Sequence, residues 1–348
     1  MNYRKILLIQ LRQLGDILLT TPCIREIRKK YPDSQISFLS HKMGRLILEK
    51  NPYLDEVLTY HERDTLSQKW ALLKKLRQEN FDLVIDFMGN PRSAFYSLAT
   101  GAKQRAGFRS SRKFAYTTLR NRIDEGMYIV REKFLLLDAC DIESNDISLT
   151  FPWFSPDLKP WLNFEKTLPA EHNHKIRVIL SPTHRREIRK WPIHCYALLA
   201  DYLTEHWDAQ VVWIWGPGEQ EEIHQAMSLC KQKTWIAPAT SLSELAALCA
   251  RQDLFIGNSN GPSHIAISAN ICTLQLHGHT EAVAWCPETK QHKSIQSPEY
   301  GQAEHVTLKS ITVPMVIEKL EAMKPLISER LQKRQGQGKE PDSWQDTI

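Results

Sequence analysis

The chain has 348 residues, 42% of them hydrophobic and 24% charged, with a net charge of +5. That length is too great for one typical domain and suits two, each able to bury a sizeable core. The mildly basic balance comes with no basic arm and no nucleic-acid motif, and no apolar run reaches the ~20 residues a membrane span needs.

Short β-rich runs alternate with helical patterns. Segments 5–11, 35–39, 55–60 and 82–87 predict strands, and 17–30, 43–50, 65–79 and 92–100 predict helices. The strands are continuously apolar, which signals burial on both faces and a parallel sheet covered by helices. The second half repeats the arrangement. Strands are expected at 176–181, 209–215, 234–237, 253–257 and 272–276, and helices at 194–206, 219–231, 241–250 and 262–269. Between the halves, FPWFSPDLKPWLNFEKTLPAEHNHK (151–175) holds four prolines and no clear period, and reads as the linker region. The expected division is a first domain over 1–160, a linker over 161–175, a second domain over 176–325 and a flexible tail over 326–348, whose end is rich in Gln, Lys and Gly. Two Rossmann-like domains of this kind leave a cleft between them, and ligands bind beyond the carboxyl ends of the strands. The loops from strand to helix are therefore where chemistry is expected.

The first such loop is LRQLGD, which places Gly15 and Asp16 at the end of the first strand. Asp16 reads either as a helix cap, worth about 1 kcal/mol, or as a general base. No GxGxxG or GxxxxGK[ST] is present, so neither a dinucleotide fingerprint nor a P-loop is indicated. The second loop, SPTHRREIRKWP, gathers Thr183, Arg185, Arg186, Arg189 and Lys190. It is either a solvated basic loop or a phosphate site that stabilises a departing diphosphate. The third, WGPGEQEE, sets Glu219 at a helix start, as a ribose acceptor or as a first-turn carboxylate favoured by the helix dipole. The fourth, GNSNGPSH, carries Asn258, Ser259, Asn260 and Gly261 into a helix opened by Pro262, and has the strongest phosphate character. His264 in that helix is expected to be structural, with the ligand-facing role as the alternative. A fifth stretch, 89–113, carries Arg92, Lys103, Arg105, Arg109, Arg112 and Lys113, as a solvated surface or as the rim of an anionic acceptor site.

Seven scattered cysteines with no Cys-x-x-Cys pair argue against a disulfide framework or a zinc site and fit a reducing compartment. The chain enters a strand almost at once, with no charged-then-apolar leader, so a cytoplasmic protein is expected. No metal site is indicated by the spacing of His, Cys, Asp or Glu.

Taken together, LRQLGDILLTTPCIREIRKKYP, FDLVIDFMGNPRSA with GAKQRAGF, RKWPIHCYALLADYL, WGPGE and LSELAALCARQDLFIGNSNGPSHIA resemble the lipopolysaccharide heptosyltransferases, glycosyltransferase family nine, over residues 1 to about 320. The resemblance implies a GT-B fold, with two Rossmann-like doubly wound domains facing across a cleft. It also implies inverting, metal-independent transfer of a heptose from ADP-heptose to the inner core of lipopolysaccharide. The ADP-sugar is then a co-substrate, and no cofactor is expected. Carried over residue by residue, the general base falls on Asp16 and the basic contact to the donor phosphates on Arg189 or Lys190. The ribose carboxylate falls on Glu219 and the phosphate loop on Asn258, Ser259, Asn260 and Gly261, with Gly15, Thr183 and His264 completing the donor side. Arg12, Arg92, Arg105 and Arg109 are assigned to the acceptor. A lipid-linked acceptor would put the protein at the cytoplasmic face of the inner membrane, touched by residues 103–113 and by FPWF (151–154). The bland readings of those two segments are a solvated loop and linker packing.

One departure matters. The family usually reads Gly-Asn-Asp-Ser-Gly where this chain reads GNSNG, so Ser259 replaces a carboxylate. A different nucleotide-sugar donor and a non-catalytic nucleotide-sugar binder of the same fold are therefore the alternatives. A NAD-dependent oxidoreductase is disfavoured by the missing dinucleotide fingerprint.

Overall fold

The computed structural model describes residues 3–110, 112–123, 126–169, 175–302, 305–336 and 341–347. The chain divides into two compact units, Met1–Phe151 and Pro152–Ile348. Each is built on a parallel sheet.

In the first unit the strands are β1 (Lys5–Ile9), β2 (Gln35–His41), β3 (Glu56–Tyr60), β4 (Leu83–Asp86), β5 (Gln104–Phe108) and β6 (Thr118–Arg120), in the order β3-β2-β1-β4-β5-β6. The helices are α1 (Leu14–Leu18), α2 (Thr21–Lys30), α3 (Arg45–Leu48), α4 (Leu66–Gln78), α5 (Pro91–Thr100) and α6 (Ile129–Phe134). The central strands are buried because both their faces are apolar: Ile6, Leu7, Leu8 and Ile9 of β1 are fully covered, as are Val84 and Ile85 of β4. The expected helix over 17–30 is two helices, because α2 starts afresh at Thr21 with Pro22 in its first turn.

The second unit contains α7 (Lys159–Glu165), β7 (Arg177–Ser181), α8 (Ile193–Trp207), β8 (Gln210–Trp213), α9 (Gln220–Ser228), β9 (Trp235–Ile236) and α10 (Leu242–Ala250). It continues with β10 (Leu254–Asn258), α11 (Gly261–Ser268), β11 (Cys272–His277), α12 (Ala282–Trp285), β12 (His292–Gln296) and α13 (Val313–Gly336). Its sheet runs β12-β11-β10-β7-β8-β9. Read from the first strand of each unit, both sheets follow the order 3-2-1-4-5-6, the doubly wound arrangement. The order reverses between β1 and β4 in one unit and between β7 and β10 in the other. Those are the positions where such sheets open a binding crevice.

Three expectations change. The boundary lies at Phe151/Pro152, so residues 152–160, assigned from sequence to the first domain, pack with the second unit. Part of the expected linker is the helix α7, whose Trp161 is buried and whose Glu165 pairs with Arg177 at 2.7 Å; residues 170–174 lie outside the described ones. The segment FPWF is packed, with Phe151 and Trp153 buried. The tail expected from 326 is not loose at its start. Helix α13 runs to Gly336 and buries Val316, Leu320, Met323 and Ile327 on one stripe. Beyond residues 337–340, which lie outside the described ones, Trp344 is buried and its backbone N–H donates to the Trp153 carbonyl at 3.1 Å.

Candidate active site

In the first unit the crevice is framed by the loops after β1 and β4. Asp16 is the third residue of α1 and accepts the Gln13 N–H at 3.0 Å through Oδ2. The capping role is thus realised, and it occupies one carboxylate oxygen. Asp16 itself is half-buried. Behind the loop lies a residue that the sequence reading did not single out. Lys133 on α6 is buried, and its Nζ donates to Gln10 Oε1 at 3.2 Å and lies 5.5 Å from the Phe87 ring. The other end of the Gln10 amide donates to the Arg12 carbonyl. Burial lowers the Lys133 pKa, and the Asp16 carboxylate is the foremost opposing influence. The Lys133 amino group therefore sits behind Asp16, held by the amide that also holds the loop. The only sequence signal for it is one lysine at the head of KFLLL.

Asp86 ends β4 and is fully buried, which raises its pKa. It accepts from Met88 N (2.9 Å), Gly89 N (3.0 Å) and Tyr116 Oη (2.6 Å). Gly89 has φ +68°, a conformation that side chains disfavour, and Gly107 leaves room for the Tyr116 ring to pass over β5. Asp86 is therefore the anchor of the loop rather than a base.

The proposed acceptor arginines divide. Arg12 and Arg92 converge on Glu62, Arg92 also reaching Tyr60 Oη at 3.2 Å. His41 lies among them, its pKa lowered by burial and then by His61, Arg12 and Arg92. Arg105 is not brought to this group. It sits near the amino end of β5, with its guanidinium donating to the Ala115 and Ala102 carbonyls. Arg109 follows β5 and donates to Asn121 Oδ1 at 3.0 Å.

In the second unit the crevice is framed by the loop after β7 and the turn after β10. Asn258 joins them. Its Oδ1 accepts from Trp191 N (3.1 Å) and Tyr196 Oη (3.2 Å), and its Nδ2 donates to the Pro182 carbonyl at 2.6 Å. Asn260 caps α11 through Ser263 N at 3.2 Å and donates to the carbonyl of buried Thr183 at 3.2 Å. Ser259 is half-buried beside them, its N–H on the Leu276 carbonyl. A Cβ built at Gly261 would meet nothing within 4 Å, so the helix start is open.

Arg189 and Lys190, adjacent in sequence, have opposite environments. Lys190 Nζ is paired with Glu222 at 2.9 Å and Glu187 at 3.1 Å; despite burial, these hydrogen bonds hold its pKa above the ordinary lysine value. Arg189 contacts His279 Nε2 at 3.0 Å, and its buried Nε has no partner among the described residues. Burial and then Arg186 lower its pKa, while burial and then Arg189 lower those of His184 and His279. Clustered like charge without a carboxylate is a local field awaiting an anion. Glu219 precedes the first residue of α9, and its carboxylate turns back to accept the Gly216 N–H at 2.8 Å, closing the Gly-Pro-Gly turn rather than capping the helix.

His264 is buried and lies 6.2 Å from Trp285, and its Nδ1 has no partner among the described residues. Burial lowers its pKa to about 4 and that of His292 to about 4. Burial, then His264 and Arg189, lowers that of His277 to about 3. These histidines stay neutral in the folded unit, whereas the unfolded chain takes up protons from about pH 6.5 downward. Stability is therefore complete above that value and is lost as pH falls toward 4. By pH 5 each should withdraw about 2 kcal/mol. Thermal melts at pH 7.5 and 5 should show the second unit losing its transition first; coincident, unshifted transitions would count against this burial.

A family model for glycosyltransferase family 9 (heptosyltransferase) matches residues 69–313. The chain belongs to this family. This family 9 chain is 27% identical to lipopolysaccharide heptosyltransferase 3 of Escherichia coli K12 over 293 residues, covering 80% of the chain and 84% of that protein. It is 24% identical to lipooligosaccharide heptosyltransferase 2 of Haemophilus ducreyi over 344 residues, covering 91% and 98%. The crystal structure of a family 9 glycosyltransferase from Veillonella parvula superposes with TM-score 0.78 at 20% identity, over 94% of this chain and 98% of that one. The E. coli heptosyltransferase WaaC with ADP gives TM-score 0.72 at 16% identity, over 92% and 99%. The fold is thus GT-B, as the sequence reading expected, and the protein is a glycosyl-transferring enzyme.

Proposed function

We propose that this family 9 enzyme transfers a heptose from ADP-heptose to the inner core of lipopolysaccharide with inversion and without a metal. The observation that carries this reading is Arg189, a guanidinium whose buried Nε has no partner among the described residues, on the loop after β7, together with the open start of α11 at Gly261, on the turn after β10. Asp16 accepts the proton of an acceptor hydroxyl. The freed oxygen attacks the anomeric carbon, the bond from that carbon to the diphosphate oxygen breaks, and ADP leaves with the electron pair. Arg189 and the Gly261 N–H then bear the charge that a metal would otherwise neutralise. Lys133, through the Gln10 amide, holds the loop that presents Asp16. Arg12 and Arg92 offer an anionic acceptor two guanidinium groups, once Glu62 is displaced.

Ser259 supports a second reading, transfer from another nucleotide sugar, because its hydroxyl cannot reproduce the charge of the acid that it replaces. A metal-free calorimetric titration with ADP, UDP and GDP, followed by transfer assays with the matching sugars, separates the two. Selective ADP binding with heptose transfer is the expected result. Preference for UDP or GDP would replace the donor, and Ser259→Asp should then shift selectivity toward ADP. Binding without any transfer would leave a non-catalytic binder.

A further inference from the structure

The four most exposed large apolar side chains among the described residues all lie on one part of the first unit. Leu66 (78%) and Trp70 (71%) lie one turn apart on α4, Phe95 (54%) is on α5, and Phe114 (70%) is on the 3-10 turn Lys113–Ala115. Helix α4 packs beside α5, and α5 beside that turn. Spacing i, i+4 on α4 aligns Leu66 and Trp70 on one stripe, and Leu98, also exposed, extends the Phe95 stripe at i+3. Burial elsewhere is not the reason for these residues: α4 turns Leu76 inward and α5 turns Ala94 and Tyr96 inward, so each helix already has its core face.

The charge on the α5 side of this patch has one sign in the sequence. Residues 89–123 hold eight Lys and Arg and no Asp or Glu. Lys69 and Lys74 flank Trp70, Lys103 follows α5 and Lys113 adjoins Phe114. All four are exposed, and none has a carboxylate within 4 Å among the described residues. Lys5 and Lys29, outside this face, are by contrast paired with Glu79 and Glu26. Aromatic side chains at the level of the headgroups and unpaired lysines beside them are the combination that an anionic bilayer surface takes up. No helix among the described residues is long and apolar enough to cross a membrane, so the contact would be a peripheral one.

We propose that the face formed by α4, α5 and the Lys113–Ala115 turn docks on an anionic lipid bilayer, with Trp70, Phe95 and Phe114 inserted at the headgroup boundary. The inference rests on the reading that the acceptor is lipid-linked, and it gives that reading a surface: the first unit is brought to the layer where the acceptor resides. FPWF is not part of this surface: it packs, as the linker reading had it, with Trp153 buried inside the second unit.

The test is co-sedimentation of the full chain with phosphatidylcholine vesicles, with and without phosphatidylglycerol, in the absence of donor and acceptor. Failure of transfer and failure of docking are then separate results. Partitioning should rise at least tenfold with phosphatidylglycerol and fall steeply in high salt, because each basic residue near an anionic surface is worth roughly fivefold. The combined Trp70→Ser, Phe95→Ser and Phe114→Ser variant should lose at least tenfold in partitioning while keeping its melting temperature and its transfer to a delipidated, water-soluble acceptor. Equal partitioning to neutral and anionic vesicles would overturn the proposal, as would an unchanged triple variant. A dimer in light scattering that the triple variant abolishes, with no vesicle binding, would assign the face to a second copy of the chain instead.

Discussion

Asp16→Asn should lower kcat by ~10²–10⁴, the usual worth of a positioned general base. The amide keeps an oxygen for the Gln13 N–H that Oδ2 now accepts, so the cap survives and the melting temperature should move little. ADP affinity should be unchanged, because the donor phosphates are assigned to the second unit. Asp16→Ala removes the cap as well and should cost about 1 kcal/mol in stability. The comparison separates the two readings that Asp16 carries. A structural cap alone predicts that the Asn variant turns over normally and only the Ala variant suffers. A base predicts that both are inactive and only one is destabilised. Single-turnover transfer with saturating donor, read beside thermal melts, gives both quantities from the same preparations.

Arg189→Gln should lower kcat by ~10²–10³ and weaken ADP binding, since it removes the one cation of the Arg-Lys pair that has no carboxylate partner among the described residues. Lys190→Gln should change kcat by less than about tenfold. Its main effect should be a loss of about 1 kcal/mol in stability, from leaving Glu222 and Glu187 without their partner. The opposite ranking would mean that Lys190 exchanges its glutamates for the diphosphate on donor binding. Calorimetry with ADP alone distinguishes this before any transfer is measured: the residue that holds the phosphates is the one whose loss weakens ADP.

The two sheets were legible because KILLI, LVID, RVILS and LFIGN each carry an unbroken apolar run, with polar residues only at their ends, and only a strand covered on both faces requires that. The strands that escaped notice are QRAGF, TLR and HKSIQ. Two of them are edge strands, β6 and β12, where one side has no neighbour and an apolar run has no benefit. The end of α13 was obscured by composition. Its Gln- and Lys-rich last turns mask a stripe from Val316 to Ile327 that is regular and buried. The linker was misjudged for a related reason: prolines at 152, 156, 160 and 169 break periodicity, but Pro156 and Pro160 occupy the first turns of short helices, where proline is tolerated.

The candidate site divides along the same physical line. Which loops carry it follows from chain order alone, since a doubly wound sheet exposes only the carboxyl ends of its strands, and LRQLGD, the basic loop before Trp191 and GNSNG all fall there. Which side chain within a loop is available does not follow. Arg189 and Lys190 are equivalent as letters; Glu222, from a helix 32 residues further along, neutralises one of them. Lys133 reaches Gln10 across 123 residues, and Tyr116 reaches Asp86 across 30. Local sequence specifies backbone direction and burial because those depend on near neighbours and on the period of apolar residues. The charge state and freedom of a functional group depend on which distant side chain folding brings within about 3 Å of it, and no period encodes that.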